Sequence, residues 1–220
     1  MSYNIAIDGP AGAGKSTIAR KLAADLGYVY VDTGAMYRAM AYFFIQNNIA
    51  CDDEKAIAEA CKDVDVTIQY KDNEQQLIVN RKNVNGVIRE EEVGKMASAT
   101  RVYPVVRTKL MELQRQLAER ENVIMDGRDI GTVVLPNANV KIYLTASSAV
   151  RAKRRYDELT AKGVDCDIKE IEQDIIERDY RDMHRETSPL KQAEDAVLLD
   201  SSDLDIDGVV AAMKKIIKEA

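Results

Sequence analysis

The chain has no tryptophan, one histidine, three cysteines and four prolines in 220 residues. Each shortage excludes something. With Trp absent and aromatics at 5%, the core must rest on Ile, Val, Leu, Met and Ala, for which a hydrophobic content of 46% is ample. Cys51, Cys61 and Cys166 are odd in number and lack CxxC spacing, and the lone His184 cannot complete a ligand set with them. A zinc site is therefore disfavoured, and unpaired thiols in a reducing cytoplasm are expected. Long apolar runs are missing: the densest, AMAYFFI at 39–45, is too short to span a bilayer, and MSYN at the start lacks a charged region followed by an apolar stretch. An excess of positive charge is missing too. A net charge of −6 disfavours nonspecific nucleic-acid or membrane binding, so an anionic ligand must be held by local clusters of Arg and Lys. The expectation is a soluble cytoplasmic protein with no nucleic-acid and no membrane partner.

What is present is an alternation of strand-like and helix-like segments. YNIAID (3–8) is an apolar run ending at a glycine loop, and 16–26 reads as a helix with Ile18, Leu22 and Leu26 four apart. YVYVD (28–32) is a second strand and 35–46 a second helix; VIMD (123–126), VKIYL (140–144) and AVLLD (196–200) follow. Five short apolar strands with helices between them imply a doubly wound α/β core around a parallel sheet. VDVTIQY (64–70) breaks the rhythm by alternating apolar and polar residues, as a half-exposed antiparallel strand does. KDNE supplies a turn, and QQLIVN (75–80) and KNVNGVI (82–88) continue a small antiparallel β lobe inserted at about 60–95. The C-terminal helix, about 206–219, alternates charge signs and reads as a solvated outer helix.

Gly9 to Ser16 satisfies G-x-x-x-x-G-K-S/T between a strand and a helix, the phosphate-binding loop of P-loop NTPases. The glycines let backbone N–H groups turn inward around phosphate oxygens, and the helix that follows points its positive end at the same anion. Gly9, Pro10, Ala11, Gly12, Ala13, Gly14, Lys15, Ser16 and Thr17 are thus the candidate ATP-binding residues. Lys15 would reach the β and γ phosphates and the Ser16 hydroxyl would ligate Mg2+. Asp126 ends an apolar strand, where an acid helps to hold that ion, directly or through water. Arg128 and Asp129 then face the crevice beyond the strand's carboxyl end. A guanine-reading N-K-x-D is absent, and motors are usually larger. A compact P-loop chain with an inserted lobe and many late arginines suits a small-molecule kinase.

Those arginines fall in two groups. In a helix over 167–185, Ile168, Ile171, Ile175, Arg178, Asp182 and Arg185 form one stripe that begins apolar and ends charged, with Arg181 beside it. Either the stripe has left the core for a polar cleft, the favoured reading, or it is an exposed helix end with an Arg178–Asp182 ion pair; Arg181 and Arg185 would then be like-charged neighbours. Arg151, Lys153, Arg154 and Arg155 sit after the VKIYL strand, and TAKGVDCD separates them from the first helix. Two such helices suit a lid over transferring phosphates, or a solvated basic face.

As a set, IDGPAGAGKST (7–17), DTGAMYR (32–38), DGRDIGTVV (126–134), KIYLTAS (141–147) and RDYRDMHR (178–185) resemble the bacterial cytidylate kinases, of the nucleoside monophosphate kinase group, from first strand to last helix. Family members commonly have Ser where this chain has Thr33, and GKGT where it has Gly14-Lys15-Ser16-Thr17; a hydroxyl is kept where one is needed. The resemblance implies a single kinase chain over 1–220, with a core of 1–59, 96–150 and 186–220, a monophosphate-binding lobe at about 60–95 and a helical lid at about 151–185. It implies that Thr33, Tyr37, Arg38, Arg128 and Arg185 surround the acceptor phosphate, that Ser98, Arg107 and Asp129 read the cytosine edge, and that Asp182 holds the sugar. Lys15, Arg128, Arg178 and Arg181 would be catalytic, with Arg151 to Arg155 adding lid charge.

The implied reaction is in-line transfer of the γ-phosphoryl group of ATP, with Mg2+, to CMP or dCMP by a monomer. The residue chemistry agrees. A carboxylate such as Asp129 accepts from cytosine N4, whereas uracil presents a lone pair there. The acceptor phosphate is already largely ionised near neutral pH, so no general base is needed and His184 is incidental. Other monophosphates or shikimate are alternative acceptors, and a slow nucleotide-binding regulatory module is the alternative class.

Overall fold

The structure, a computed structural model, describes residues 2–71 and 74–220. β1 (Asn4–Asp8) runs apolar into the glycine loop, and α1 (Lys15–Leu26) lies between two left-handed glycines, Gly14 and Gly27. β2 (Val29–Asp32) ends in the residue that caps α2 (Thr33–Gln46): Asp32 Oδ1 accepts from Ala35 N at 2.7 Å. α3 (Glu54–Asp63) is capped by Asp53. Then come β3 (Val66–Lys71), β4 (Glu74–Val79) and β5 (Lys82–Asn83), followed by α4 (Glu91–Thr100) and α5 (Pro104–Arg120), which starts with proline. β6 (Val123–Gly127) leads into one turn of π-helix, Ile130–Val134. β7 (Val140–Thr145), α6 (Ser148–Ala161), α7 (Ile168–His184), β8 (Val197–Asp200) and α8 (Ile206–Glu219) complete the order. The hydropathy pattern predicts a five-stranded parallel sheet and a small antiparallel one; both are present, with strand orders β2-β6-β1-β7-β8 and β3-β4-β5.

The chain forms two compact units. One comprises Val29–Val123 with Ser2; the other comprises Tyr3–Tyr28 and Ile124–Ala220. In the first, α2 packs along α4, and Met36, Met40, Phe44, Ile57, Leu77 and Leu110 are fully buried. The small sheet is fastened to β2 by two side chains: Tyr70 donates to Tyr30 O at 2.9 Å, and Gln75 Oε1 accepts from Asp32 N at 2.8 Å. The strand predicted over 82–88 stops after Asn83. Val84 N still donates to Leu77 O at 2.9 Å, and beyond it Asn85 turns its side-chain amide onto β4, accepting from Leu77 N and donating to Gln75 O, each at 2.7 Å, so a side chain continues the ladder. The KDNE turn falls on Asp72 and Asn73, outside the described residues.

In the second unit, Ile5 pairs with Val140 and Ile142 with Val197 in parallel register. α6 packs along α7, and α8 along α1. The last helix is solvated on one side only: Val209, Val210 and Met213 are buried, while its charged residues and Ile206 face water. Cys51, Cys61 and Cys166 are free.

Candidate functional site

The phosphate loop is shaped by what cannot be there. A Cβ on Gly9 (φ +148°) would lie 1.9 Å from Leu144 O, so no other residue fits, whereas Gly14 (φ +84°) has nothing within 4 Å of the same position. Lys15 opens α1, is buried, and donates to Pro10 O at 2.7 Å. Burial holds its pKa well below the ordinary lysine value, and repulsion from Arg128, with a smaller share from Arg178, lowers it further against the pull of Asp126 and Asp8. Ser16 Oγ donates to Asp126 Oδ2 at 2.8 Å, which joins the loop's hydroxyl to the acid at the end of β6. A hydroxyl and a carboxylate oxygen at the phosphate loop are hard donors of the kind that suits Mg2+. Asp8, which precedes the first glycine of the loop, is also buried: Oδ1 accepts from Ile130 N at 2.8 Å and Oδ2 from Gly131 N at 2.7 Å. Burial pushes its pKa up to about 6.

Two groups gather at the segment after β6. Arg128 Nε donates to Asp182 Oδ2 at 2.9 Å, which ties the segment after β6 to α7. Buried Asp129 lies 3.6 Å from Arg185 Nη2, and Arg185 Nε donates to Ser188 O at 2.7 Å, fixing the end of α7. Of the predicted stripe, Asp182 and the Arg185 guanidinium are buried, Ile171 and Ile175 are half-buried, and Ile168 and Arg178 are exposed, so the stripe does not begin in the core. Arg181 beside it is exposed and its Nε reaches back to Glu177 O at 3.4 Å.

The 151–155 cluster divides: Lys153 and Arg155 lie on a solvated face, and Arg151 does not. Arg151 is buried, and donates to Ala146 O at 2.8 Å and to Ala11 O in the phosphate loop at 2.9 Å, with Asp179 at 2.6 Å. Arg154 donates to Ser201 O at 2.7 Å. Lys153 and Arg155 form exposed ion pairs with Asp157 and Glu158 on their own helix. No local pattern marks Asp179 as the inward acid.

In the first unit, Thr33 is buried at the start of α2, and Arg38 lies 3.6 Å from Asp32 with its Nε lacking a hydrogen-bond partner among the described residues. Buried Arg107 on α5 donates to Tyr37 OH at 3.4 Å. Ser98 is half-buried on α4. Among the described residues no cluster of three or more His, Cys, Asp or Glu could hold a metal, and no helix is long and apolar enough to cross a membrane.

A family profile described as cytidylate kinase matches residues 5–219. The cytidylate kinase of Lactobacillus johnsonii is 50% identical over 215 residues, covering 98% of this chain and 94% of that one. That of Streptococcus mutans is 48% identical over 217 residues, covering 98% and 96%. Among solved structures, a gluconokinase from Sinorhizobium meliloti is similar with a TM-score of 0.51 at 14% identity, over 99% of this chain and 92% of that one, a likeness of fold alone.

Proposed function

The chain belongs to the cytidylate kinase family, and from that premise we propose that it transfers the γ-phosphoryl group of ATP to CMP or dCMP, giving ADP and CDP or dCDP, as a cytoplasmic monomer. The observation that carries this reading is the geometry of the phosphate loop: Gly9 admits no Cβ, Lys15 is buried and donates to Pro10 O at 2.7 Å, and Ser16 Oγ donates to Asp126 Oδ2 at 2.8 Å. A cation, a hydroxyl and a carboxylate at such a loop suit a phosphoryl group in transfer and its metal ion. Lys15, Arg128 and Arg178 then stabilise the transferring group, with Arg181 the lid member least supported by its position. Gly9 to Thr17 cradle the ATP phosphates. Ser16 and Asp126 would hold the Mg2+, directly or through water, and that ion supplies charge neutralisation to the phosphate oxygens.

By the family resemblance, Thr33, Tyr37, Arg38, Arg128 and Arg185 are the residues that take the acceptor phosphate; Arg38 Nε, without a hydrogen-bond partner among the described residues, supports this for Arg38. Ser98, Arg107 and Asp129 read the cytosine edge, and Asp182 holds the sugar. Residues 60–95 serve as the monophosphate lobe and 151–185 as the lid, with 1–59, 96–150 and 186–220 as the core. No proton need be removed from an acceptor phosphate whose second pKa is about 6. The test is ADP production from ATP and Mg2+ with CMP, dCMP, UMP, AMP, GMP and shikimate. Strong turnover with CMP and dCMP and little with UMP is expected. Equal UMP turnover removes the cytosine reading, and turnover with none removes the acceptor class.

A further inference from the structure

The reaction as proposed leaves Asp8 unused, although it is among the most deeply placed charged groups of its unit. It ends β1, one residue before Gly9, and both carboxylate oxygens are taken by the amides of Ile130 and Gly131. Those amides follow directly on Asp129. The carbonyl of Asp129 is itself engaged, accepting from Val133 N at 2.9 Å and Val134 N at 3.2 Å. The backbone just beyond Asp129 is therefore gripped twice, once by its own turn and once by Asp8. Nor can the turn slide away: a Cβ on Gly131 would meet Lys141 Cδ at 3.1 Å and Asp8 Oδ2 at 3.4 Å, and Lys141 is anchored to Asp195 at 2.7 Å. A carboxylate suits this place because it accepts from two donors at once. An amide of the same shape accepts from one and turns N–H groups against the other. That the group is kept there despite a pKa raised by burial to about 6 argues for a positional demand.

We propose that Asp8 is a positioning residue for base discrimination: by holding the amides of Ile130 and Gly131 it fixes where the Asp129 carboxylate stands, and so ties the phosphate loop to the segment that reads the acceptor. This rests on the reading of Asp129 as the group that meets cytosine N4.

The test is steady-state kinetics of wild type, Asp8→Asn, Asp129→Asn and the double variant with CMP and with UMP, alongside KM for ATP and the melting temperature. Asp8→Asn is expected to lower the CMP-over-UMP ratio of kcat/KM on the order of tenfold, the loss of one well-placed polar contact, mainly through KM for CMP, with KM for ATP unmoved. The double variant should discriminate no worse than Asp129→Asn alone, because Asp8 acts through Asp129. A merely structural Asp8 would lower the melting temperature and leave the ratio alone; that result overturns the proposal. If Asp129→Asn itself leaves the ratio at the wild-type value, the cytosine reading falls and takes this proposal with it. Should Asp8→Asn not fold, Asp8→Glu keeps the charge but displaces the carboxylate from the two amides and should lower the ratio in the same way; an unchanged ratio there overturns the proposal.

Discussion

Two arginine–aspartate pairs of the second unit are alike in burial and in the helix they reach, yet they do different work. Arg151 meets Asp179 at 2.6 Å, and Arg128 meets Asp182 at 2.9 Å; both acids are on α7 and all four side chains are largely buried. Arg151 spends its remaining donors on two backbone carbonyls, Ala146 and Ala11, and so pins the phosphate loop and the end of β7 to α7. Arg128 makes one further, long bond to the carbonyl of its neighbour Gly127 at 3.3 Å, and its charge bears on Lys15. A buried ion pair is thus a clamp when the guanidinium is consumed by the backbone, and a poised charge when it is set against other cations.

The largest effect that would break this contrast lies at Arg128. Arg128→Ala should lower kcat/KM for CMP on the order of 10³-fold, the usual range for a guanidinium that meets a transferring phosphoryl group. Turnover per folded molecule is the measurement; if only stability falls, Arg128 is a second clamp. Next comes Arg151→Ala, which strands Asp179 in the interior and should cost about 3–5 kcal/mol of unfolding free energy by urea titration. Arg151→Met with Asp179→Leu should recover part of that loss, since an apolar pair of similar volume replaces a buried ion pair with little penalty. A stable Arg151→Ala variant with lost turnover would make it a poised charge after all.

The contrast also shows why some of the molecule was legible and some was not. The phosphate loop could be read because its chemistry admits few residues: Gly9 tolerates no Cβ, and Ser16 finds Asp126 because the strand carrying that acid ends at the same edge. The small sheet could be read from the alternation in 64–70, but its third strand could not, since Asn85 replaces backbone with side chain. α8 hid its buried row of Val209, Val210 and Met213 behind charges of both signs. α5 carries a weak signal because Arg107 and Gln114 share the buried set with Val106 and Leu110. Arg151 and Asp8 were opaque for a simpler reason: the partners that decide their roles, Ala11 for one and Ile130 and Gly131 for the other, lie more than a hundred residues away in sequence.

Asp8 sharpens the comparison further, being a buried carboxylate held by backbone amides and by no guanidinium. Its pKa in the folded protein, about 6 against an ordinary 3.8, means that the folded state binds this proton more tightly than the unfolded one. The stability it adds is whole below the ordinary value and is lost as pH rises through the folded one. Relative to Asp8→Asn, the wild type should lose about 2–3 kcal/mol between pH about 4 and about 6.5, read from urea midpoints at the two ends. Parallel midpoints would show that the amides keep the carboxylate ionised as an arginine would.

The smallest effect is expected at Arg155, which is neither consumed by backbone nor set against Lys15. It is half exposed and pairs with Glu158 one turn along its own helix. Exposed pairs of this kind contribute little, so Arg155→Ala should move the unfolding free energy by no more than about 0.5 kcal/mol. Because stability is then nearly constant, kcat reports on charge alone. With its guanidinium turned along α6, Arg155 should alter kcat by about threefold or less, a change worth under 1 kcal/mol of transition-state interaction. A fall of tenfold or more would put Arg155 beside Arg128 as a poised charge, and would return to α6 the phosphate-facing role that the run from Arg151 to Arg155 suggests in sequence.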